Sequence, residues 1–276
     1  MPRAVTRRAR ARRSCTGLLM VLFVSACAVS TQREIEIGAQ YSAQINRQLP
    51  IVTDATVQRT INLIGNDIAR HGHRGLTYKF FVVDAKQVNA FALPGGYVYV
   101  NRGLIERTDN FSELAGVLAH EIGHVEERHG AEQMERAQKT NVGLNLAYIL
   151  LGRSPGGLER AAVNLGGGLY FASHSREAER EADQGAVPLL VAARIEPNGL
   201  VTLFEKLLAE QKRSPGTVEQ WFATHPTTQD RIDAARAEVQ QLSPEQRRGL
   251  RTSANDYWSL KNRLRELPPA RDVARR

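Results

Sequence analysis

Cysteine is nearly absent from this sequence: two occur among 276 residues, Cys15 and Cys27. Both lie near the amino terminus, in a segment that has the features of a leader. A domain that begins after this segment would contain no disulfide. We therefore expect it to be held together by core packing, and by metal if it binds any.

Long apolar runs are also missing. No stretch of about 20 apolar residues occurs, so the sequence does not predict a membrane-spanning helix. Residues 142–170 are apolar and rich in glycine, with about ten apolar residues between glycines, which indicates a mobile or interfacial hairpin. The overall hydrophobic content of 42% is enough for one sizeable core, and we expect one domain.

The first 13 residues contain no acidic residue and six arginines, although the whole chain carries a formal net charge of only +8. Much of the basic character is therefore a targeting signal, and we expect no nucleic-acid partner. Residues 246–276 contain nine basic and three acidic residues, so any basic contact surface is expected there. The expected organisation is a leader over 1–26, a folded domain over 27–245 and a basic tail over 246–276.

The leader combines an arginine-rich start, a short apolar run over about 18–24, and small residues before a cysteine. Val24-Ser25-Ala26-Cys27 resembles the lipobox of bacterial lipoproteins, which implies acylation of Cys27 and a membrane anchor. A plain secretory signal and an uncleaved anchor are the alternatives. Ala28 lacks the aspartate that often retains lipoproteins inside, so we expect the outer membrane. Twin-arginine export fits the leader poorly.

Helical spacing of apolar residues predicts helices over about 28–50 and 55–71. A third helix is expected to begin at the cap residue Asn110, with Glu113 as its capping-box partner, and to stop at Gly130. Ser175 is expected to open a later helix that is rich in acidic residues.

Aromatic and β-branched residues predict strands over 78–83, 90–93 and 97–100, the last two joined as a hairpin through Pro94-Gly95-Gly96. The predicted fold class is α+β: a mostly helical domain with a small antiparallel sheet beside the helix that begins at Asn110.

That helix contains His120-Glu121-Ile122-Gly123-His124. Each helical residue turns about 100°, so His120 and His124 lie about 40° apart and one turn along the axis, where both can reach one ion. Glu121 projects beside such an ion, where a carboxylate can hold a water against it. The alternative is a chance occurrence or a structural histidine pair, but the capped amphipathic helix favours a zinc site.

A hydrolytic zinc site needs a third protein ligand. On a continuous helix His129 would lie about 140° away from His124, so we expect it to face solvent or a neighbour. The later helix offers two acidic pairs on different faces, Glu179 with Asp183 and Glu177 with Glu181. Spacing alone leaves open which pair faces the metal.

The chain resembles the gluzincin peptidases that include the CAAX prenyl endoproteases, HtpX and the BepA-type periplasmic proteases, and most closely their soluble lipoprotein members. Four motifs carry the resemblance in order along the chain: Asn89 to Gly96, Leu118 to His124, Ser175 to Asp183, and Thr224-His225-Pro226 with Arg231.

The resemblance implies one Zn²⁺ per chain, with Glu179 as third ligand and Asp183 as a carboxylate that steadies a ligand histidine. It also implies that His225 approaches the zinc or the reacting oxyanion, and that Arg231 stabilises negative charge there. The alternatives are a packing histidine and an ordinary helix salt bridge.

The expected reaction is peptide-bond hydrolysis, in which zinc lowers the pKa of its water from 15.7 toward about 7 and Glu121 takes the proton. An extended polypeptide, from an unfolded or misassembled envelope protein, is expected to pair with an edge strand. The residues of that strand are Asn89, Ala90, Phe91, Ala92 and Leu93. The glycine-rich segment could instead cover this edge and keep the enzyme latent.

Two rival functions share part of this pattern. A non-proteolytic assembly factor or chaperone could keep zinc for structure, but it would not need Glu121. A membrane-embedded protease would need apolar spans that the sequence lacks. The natural substrate, the cleavage preference and the oligomeric state are not specified by the sequence.

Overall fold

A computed structural model describes residues 29–139 and 174–272. Cys27 and the glycine-rich segment over 142–170 lie outside these ranges, so the expectations for them stay predictions. No helix in the two described ranges combines the length and the apolar composition that a bilayer crossing requires.

The described residues form helices and a three-stranded sheet. The helices are α1 (Thr31–Gln48), α2 (Ala55–Ala69), α3 (Arg102–Arg107), α4 (Phe111–Glu126), α5 (His129–Lys139), α6 (Arg176–Ala192), α7 (Asn198–Arg213), α8 (Pro215–Thr224), α9 (Gln229–Gln241), α10 (Pro244–Arg247) and α11 (Asn255–Glu266). The strands are β1 (Lys79–Val83), β2 (Ala90–Leu93) and β3 (Tyr97–Asn101). The predicted α+β class is confirmed.

Two predicted helix starts are confirmed by their caps. The side chain of Asn110 accepts a hydrogen bond from the backbone N–H of Glu113, and Ser175 accepts one from Ala178. Each bond satisfies a backbone donor that the first helical turn leaves without an intrahelical partner. These caps set where α4 and α6 begin, and hence which side chains the two helices present to each other.

The sheet has the order β1-β3-β2, with β2 at one edge. The predicted hairpin is confirmed: β2 and β3 pair antiparallel across a turn in which Gly95 and Gly96 have φ of 79° and 93°. The expectation of a purely antiparallel sheet is wrong for one pair, because β1 and β3 are parallel. The chain reverses after β1 and again after β2, and β3 then inserts between them, so β3 runs in the direction of β1.

Alternate residues of the strands enter two apolar clusters, as the two-residue period of a strand requires. On one face, Phe80, Val98 and Val100 join the main core with α2 and α4. On the other face, Phe91 and Tyr99 stack with ring centroids 4.8 Å apart beneath α1. The sheet is thereby held between α1 and the helix that contains His120.

Helix α4 is buried along its whole length and packs against α6 and α7. Glycines allow this close approach. A Cβ atom at Gly123 would lie 2.8 Å from the carbonyl oxygen of Ala182, and one at Gly116 would lie 2.8 Å from Cα of Leu200. The spacing of α4 from α6 therefore depends on a missing side chain within the His120–His124 motif.

Helix α4 ends at Glu126, not at Gly130 as predicted. Arg128 adopts a left-handed conformation, with φ of 63°, and α5 starts at the next residue. Gly130 lies inside α5, where a Cβ atom would lie 3.2 Å from the ring of Pro94. This glycine is thus explained by close packing against the β2–β3 turn and not by a helix end.

The segment after residue 245 packs onto the domain. Tyr257, Leu260 and Leu264 of α11 are buried in the main core, and Arg102 donates hydrogen bonds to the carbonyl oxygens of Leu264 and Pro268, at 2.7 and 2.6 Å. Residues up to 272 therefore continue the fold that we expected to end at residue 245. The count of basic residues in this segment gave no indication that one face of α11 is apolar and buried.

Replacing Gly123 by Ala should force α4 and α6 apart. We expect a loss of about 1–3 kcal/mol in the free energy of unfolding, measured by urea denaturation, because the new methyl group meets backbone that cannot rotate away. Gly216→Ala is the matched control, since a Cβ atom there meets nothing within 4 Å. Equal stability of Gly123→Ala and Gly216→Ala would contradict the close helix contact.

Candidate metal centre

Four buried side chains meet between α4, α6 and the end of α8: His120, His124, Glu179 and His225. His120 Nε2 lies 3.1 Å from His124 Nε2 and 3.4 Å from His225 Nδ1. Glu179 Oε1 lies 3.3 Å from His124 Nε2 and 3.1 Å from His225 Nδ1. One ligand-type atom from each residue therefore faces a common point.

These separations suit zinc. Bonds of 2.0–2.1 Å in tetrahedral geometry place neighbouring donor atoms about 3.3 Å apart, close to the 3.1–3.4 Å found here. Three imidazoles and one carboxylate are also the donor types that zinc binds. Without a cation, lone pairs on these atoms would face each other in a region closed to water. The donor set thus fits a single zinc ion.

Asp183 orients the ring of His120 by contacting the nitrogen that faces away from the other donors. Its Nδ1 lies 2.9 Å from Asp183 Oδ1, which directs Nε2 toward the other donors. Arg231 holds Asp183 with two hydrogen bonds of 2.7 and 2.8 Å, and its Nη1 contacts Glu179 Oε2 at 2.5 Å. Nη1 also donates to the carbonyl oxygen of Pro226. Arg231 therefore contacts two carboxylates of the site, those of Asp183 and Glu179.

Burial and neighbouring charges shift the pKa values of the donors in opposite directions. Burial lowers the pKa of His120, but Asp183 and Glu179 outweigh it and raise the value to about 9. Burial raises the pKa of Glu179, but the surrounding histidines hold it well below its usual range. Burial is also the main reason that the pKa of His124 lies well below its usual value. A metal ion must displace a proton from His120, so metal affinity should fall in acid.

Glu121 lies next to the donor group but is not one of its four members. Both of its carboxylate oxygens are buried and have no hydrogen-bond partner among the described residues. Its Oε1 is 3.4 Å from His225 Nε2, and burial raises the pKa of the carboxyl group. A buried carboxylate without a hydrogen bond costs roughly several kcal/mol in stability, so packing does not explain this arrangement.

His225 connects the donor group to the edge strand. Its Nδ1 faces Glu179, whereas its Nε2 lies 3.2 Å from the carbonyl oxygen of Ala90. The preceding residue, Thr224, donates a hydrogen bond of 3.1 Å to the side chain of Asn89. Of the five residues predicted to bind substrate, Asn89 and Ala90 thus contact Thr224 and His225, whereas Phe91 packs in the cluster beneath α1. Ala92 is half-buried and the others are buried.

Two further histidines surround His124. The ring of His174 stacks on it with centroids 3.9 Å apart, and burial lowers the pKa of His174 to about 3. His129 Nδ1 lies 2.9 Å from His124 Nδ1. Neither was predicted at the site. His174 belongs to none of the recognised motifs, and the angular argument for His129 assumed a helix that continues past Arg128.

Comparison with known proteins identifies the family. The sequence model of peptidase family M48 matches residues 53–239, a range that contains all four donors and Glu121. The chain belongs to peptidase family M48. The resemblance inferred from the four motifs is confirmed, and so is the expected zinc cofactor, since M48 peptidases depend on zinc and the buried donors fit it.

Several curated M48 relatives match the chain. The Beta-barrel assembly-enhancing protease of Yersinia pestis is 32% identical over 243 residues, which cover 86% of this chain and 49% of the relative. Metalloprotease LoiP of Escherichia coli (strain K12) is 36% identical, covering 63% and 66%. Mitochondrial metalloendopeptidase OMA1 of Schizosaccharomyces pombe is 30% identical, covering 84% and 66%. The chain spans about half the length of the assembly-enhancing proteases that it matches.

Removing the metal should destabilise this M48 domain, because a ligand that binds only the folded state stabilises that state against unfolding. Zinc at about 1,000 times its dissociation constant contributes about 4 kcal/mol, or about 8–16 °C in melting temperature for a domain of this size. Thermal unfolding before and after chelation measures the difference. Zinc should restore the higher temperature and Mg²⁺ should not; an unchanged melting temperature after verified zinc removal would contradict the assignment.

Proposed function

We propose that this M48 protein is a zinc metalloendopeptidase that hydrolyses peptide bonds of unfolded or misassembled cell-envelope proteins. His120, His124 and Glu179 are the proposed metal ligands. The observation that carries the proposal is Glu121, a buried carboxylate without a hydrogen-bond partner among the described residues, one residue after a proposed ligand histidine and beside the donor group. A zinc site that served only structure would not need it.

The chemistry divides between the metal and the chain. Bound zinc supplies a Lewis acid and lowers the pKa of a coordinated water toward about 7. Glu121 accepts the proton as the water attacks the substrate carbonyl, and it returns that proton to the leaving amine.

Asp183 and Arg231 are proposed as positioning residues. Asp183 contacts the ring nitrogen of His120 that faces away from the other donors. The nitrogen atoms of Arg231 are directed at Asp183, Glu179 and the carbonyl oxygen of Pro226. This geometry favours a role in holding carboxylates over the oxyanion contact that the family resemblance suggested for Arg231.

We propose that His225 leaves the metal when substrate binds. It follows α8, whereas the other donors lie within α4 and α6, so it can move without disturbing either ligand helix. It also contacts Ala90 at the edge strand. A peptide that paired with Asn89 to Leu93 would compete for this carbonyl group, and binding would favour departure of His225. Such main-chain pairing supports a broad preference for unfolded polypeptide.

The proposed location is the periplasmic side of a bacterial envelope, with an anchor on Cys27, in the outer membrane. The leader pattern and the lipobox resemblance support it. The names of two bacterial relatives, Beta-barrel assembly-enhancing protease and Metalloprotease LoiP, support proteolysis, and the first name refers to assembly of β-barrel proteins. The rival function is a zinc-containing assembly factor without proteolytic activity.

Replacing Glu121 by Gln should separate these functions. The variant should retain one zinc per chain, because Glu121 is not a ligand, and should hydrolyse casein at least about 100-fold more slowly, since general acid–base catalysis contributes about 10²–10⁴-fold. Metal analysis and casein cleavage are measured on the same samples.

Glu127→Gln, an exposed change next to the end of the same helix, is the control and should retain wild-type activity. Casein cleavage by Glu121→Gln at the wild-type rate would overturn the catalytic assignment. Zinc-loaded wild type that cleaves no unfolded substrate would favour the assembly factor.

A further inference from the structure

The ring of His124 makes polar contacts on both sides. Its Nε2 faces the donor group, 3.1 Å from His120 Nε2 and 3.3 Å from Glu179 Oε1. Its Nδ1 lies 2.9 Å from Nδ1 of His129, which is itself buried. His124 thus has a second hydrogen-bond partner on the side opposite the metal position.

His129 in turn contacts a carboxylate. Its Nε2 lies 2.8 Å from Glu181 Oε2, and the side chain of Glu181 is 46% exposed. The contacts therefore run from the donor group through His124 and His129 to a carboxylate at the surface of α6. Glu181 belongs to the acidic pair on the helix face other than that of Glu179.

The hydrogen-bonding capacities of these groups determine where each proton lies. An ionised carboxylate only accepts, so the proton of neutral His129 is on Nε2 and its Nδ1 is an acceptor. Two ring nitrogens 2.9 Å apart need one proton between them. That proton is on His124 Nδ1, which leaves a lone pair on His124 Nε2. This is the tautomer that binds a metal through Nε2.

The backbone brings His129 to this position. Helix α4 ends at Glu126, and Arg128 turns the chain through a left-handed conformation, with φ of 63°. Arg128 is held there by an ion pair with the buried Glu34, at 2.7 Å. His129 then begins α5 and faces back toward His124 instead of continuing the helical spiral.

We propose that His129 and Glu181 are positioning residues, which fix the ring orientation and the tautomer of His124 for metal binding. The proposal rests on the proposed zinc site. His129 and Glu181 would do for His124 what Asp183 does for His120, except that the terminal carboxylate is half exposed instead of buried. Partners of this kind typically change metal affinity by about 10- to 100-fold.

The test measures zinc affinity by competition with a chromophoric chelator, together with the visible spectrum of the Co²⁺ form. His129→Phe preserves a buried ring but removes the acceptor, and we expect about 10- to 100-fold weaker zinc binding and altered cobalt bands. His129→Gln should recover part of the affinity, because its amide oxygen can accept from His124 Nδ1. If His129 acted by packing alone, the zinc affinity would not depend on whether the residue at this position can accept a hydrogen bond.

Glu181→Ala changes a half-exposed residue and should weaken zinc binding less than His129→Phe does. Because Glu181 acts through His129, the double variant should bind zinc no more weakly than His129→Phe alone. Glu177→Ala is the matched control: it removes an exposed carboxylate of the same helix that pairs with Arg180. Its zinc affinity should equal that of wild type.

Wild-type affinity and cobalt spectrum in both His129→Phe and Glu181→Ala would overturn the positioning role. Additive losses in the double variant would also overturn it, since the two residues would then act separately. Failure of the proposed function has a different signature, because wild type itself would then bind no zinc or, with zinc bound, would cleave no casein.

Discussion

The close packing of α4 against α6 around a group of buried metal donors is the constraint on which this structure depends. Helix α4 contributes His120 and His124, α6 contributes Glu179, and their donor atoms approach to 3.1–3.6 Å in a buried region. When ionised, Glu121, Glu179 and Asp183 exceed the charge of Arg231 by two negative charges, which a zinc ion would balance. Buried charge without such compensation is strongly destabilising. The absence of a side chain at Gly123 allows α6 to come close enough for Glu179 to reach the histidines.

Each of the two proposed ligand histidines, His120 and His124, is linked to a carboxylate on the side of its ring that faces away from the other donors. Asp183 contacts His120 directly and is clamped by Arg231, whereas Glu181 is linked to His124 through His129. Both carboxylates lie on α6, the helix that also carries Glu179. Helix α6 therefore supplies a proposed ligand and both of these carboxylates, so its placement against α4 determines these contacts.

The sequence specifies local features well and long-range contacts poorly. The spacing of His120 and His124, the caps at Asn110 and Ser175 and the hairpin at Gly95-Gly96 follow from backbone geometry over a few residues, and the structure has all of them. Contact between Glu179 and the histidines depends on packing between helices more than 50 residues apart, which only family resemblance could indicate. His129 was expected to face solvent or a neighbour; its contact with His124 could not be predicted, because it depends on the left-handed residue Arg128, which redirects the chain after α4. The packing of α11 against the core was not predicted, because its many basic residues indicated an exposed segment.

Anomalous diffraction at the zinc absorption edge, from crystals of the purified protein, tests the central claim most directly. The account predicts one strong peak about 2.0–2.2 Å from His120 Nε2, His124 Nε2 and a carboxylate oxygen of Glu179, with His225 Nδ1 as the fourth donor. Zinc bound elsewhere, or bound to the two α4 histidines with Glu179 beyond bonding range and no other protein donor in its place, would contradict it.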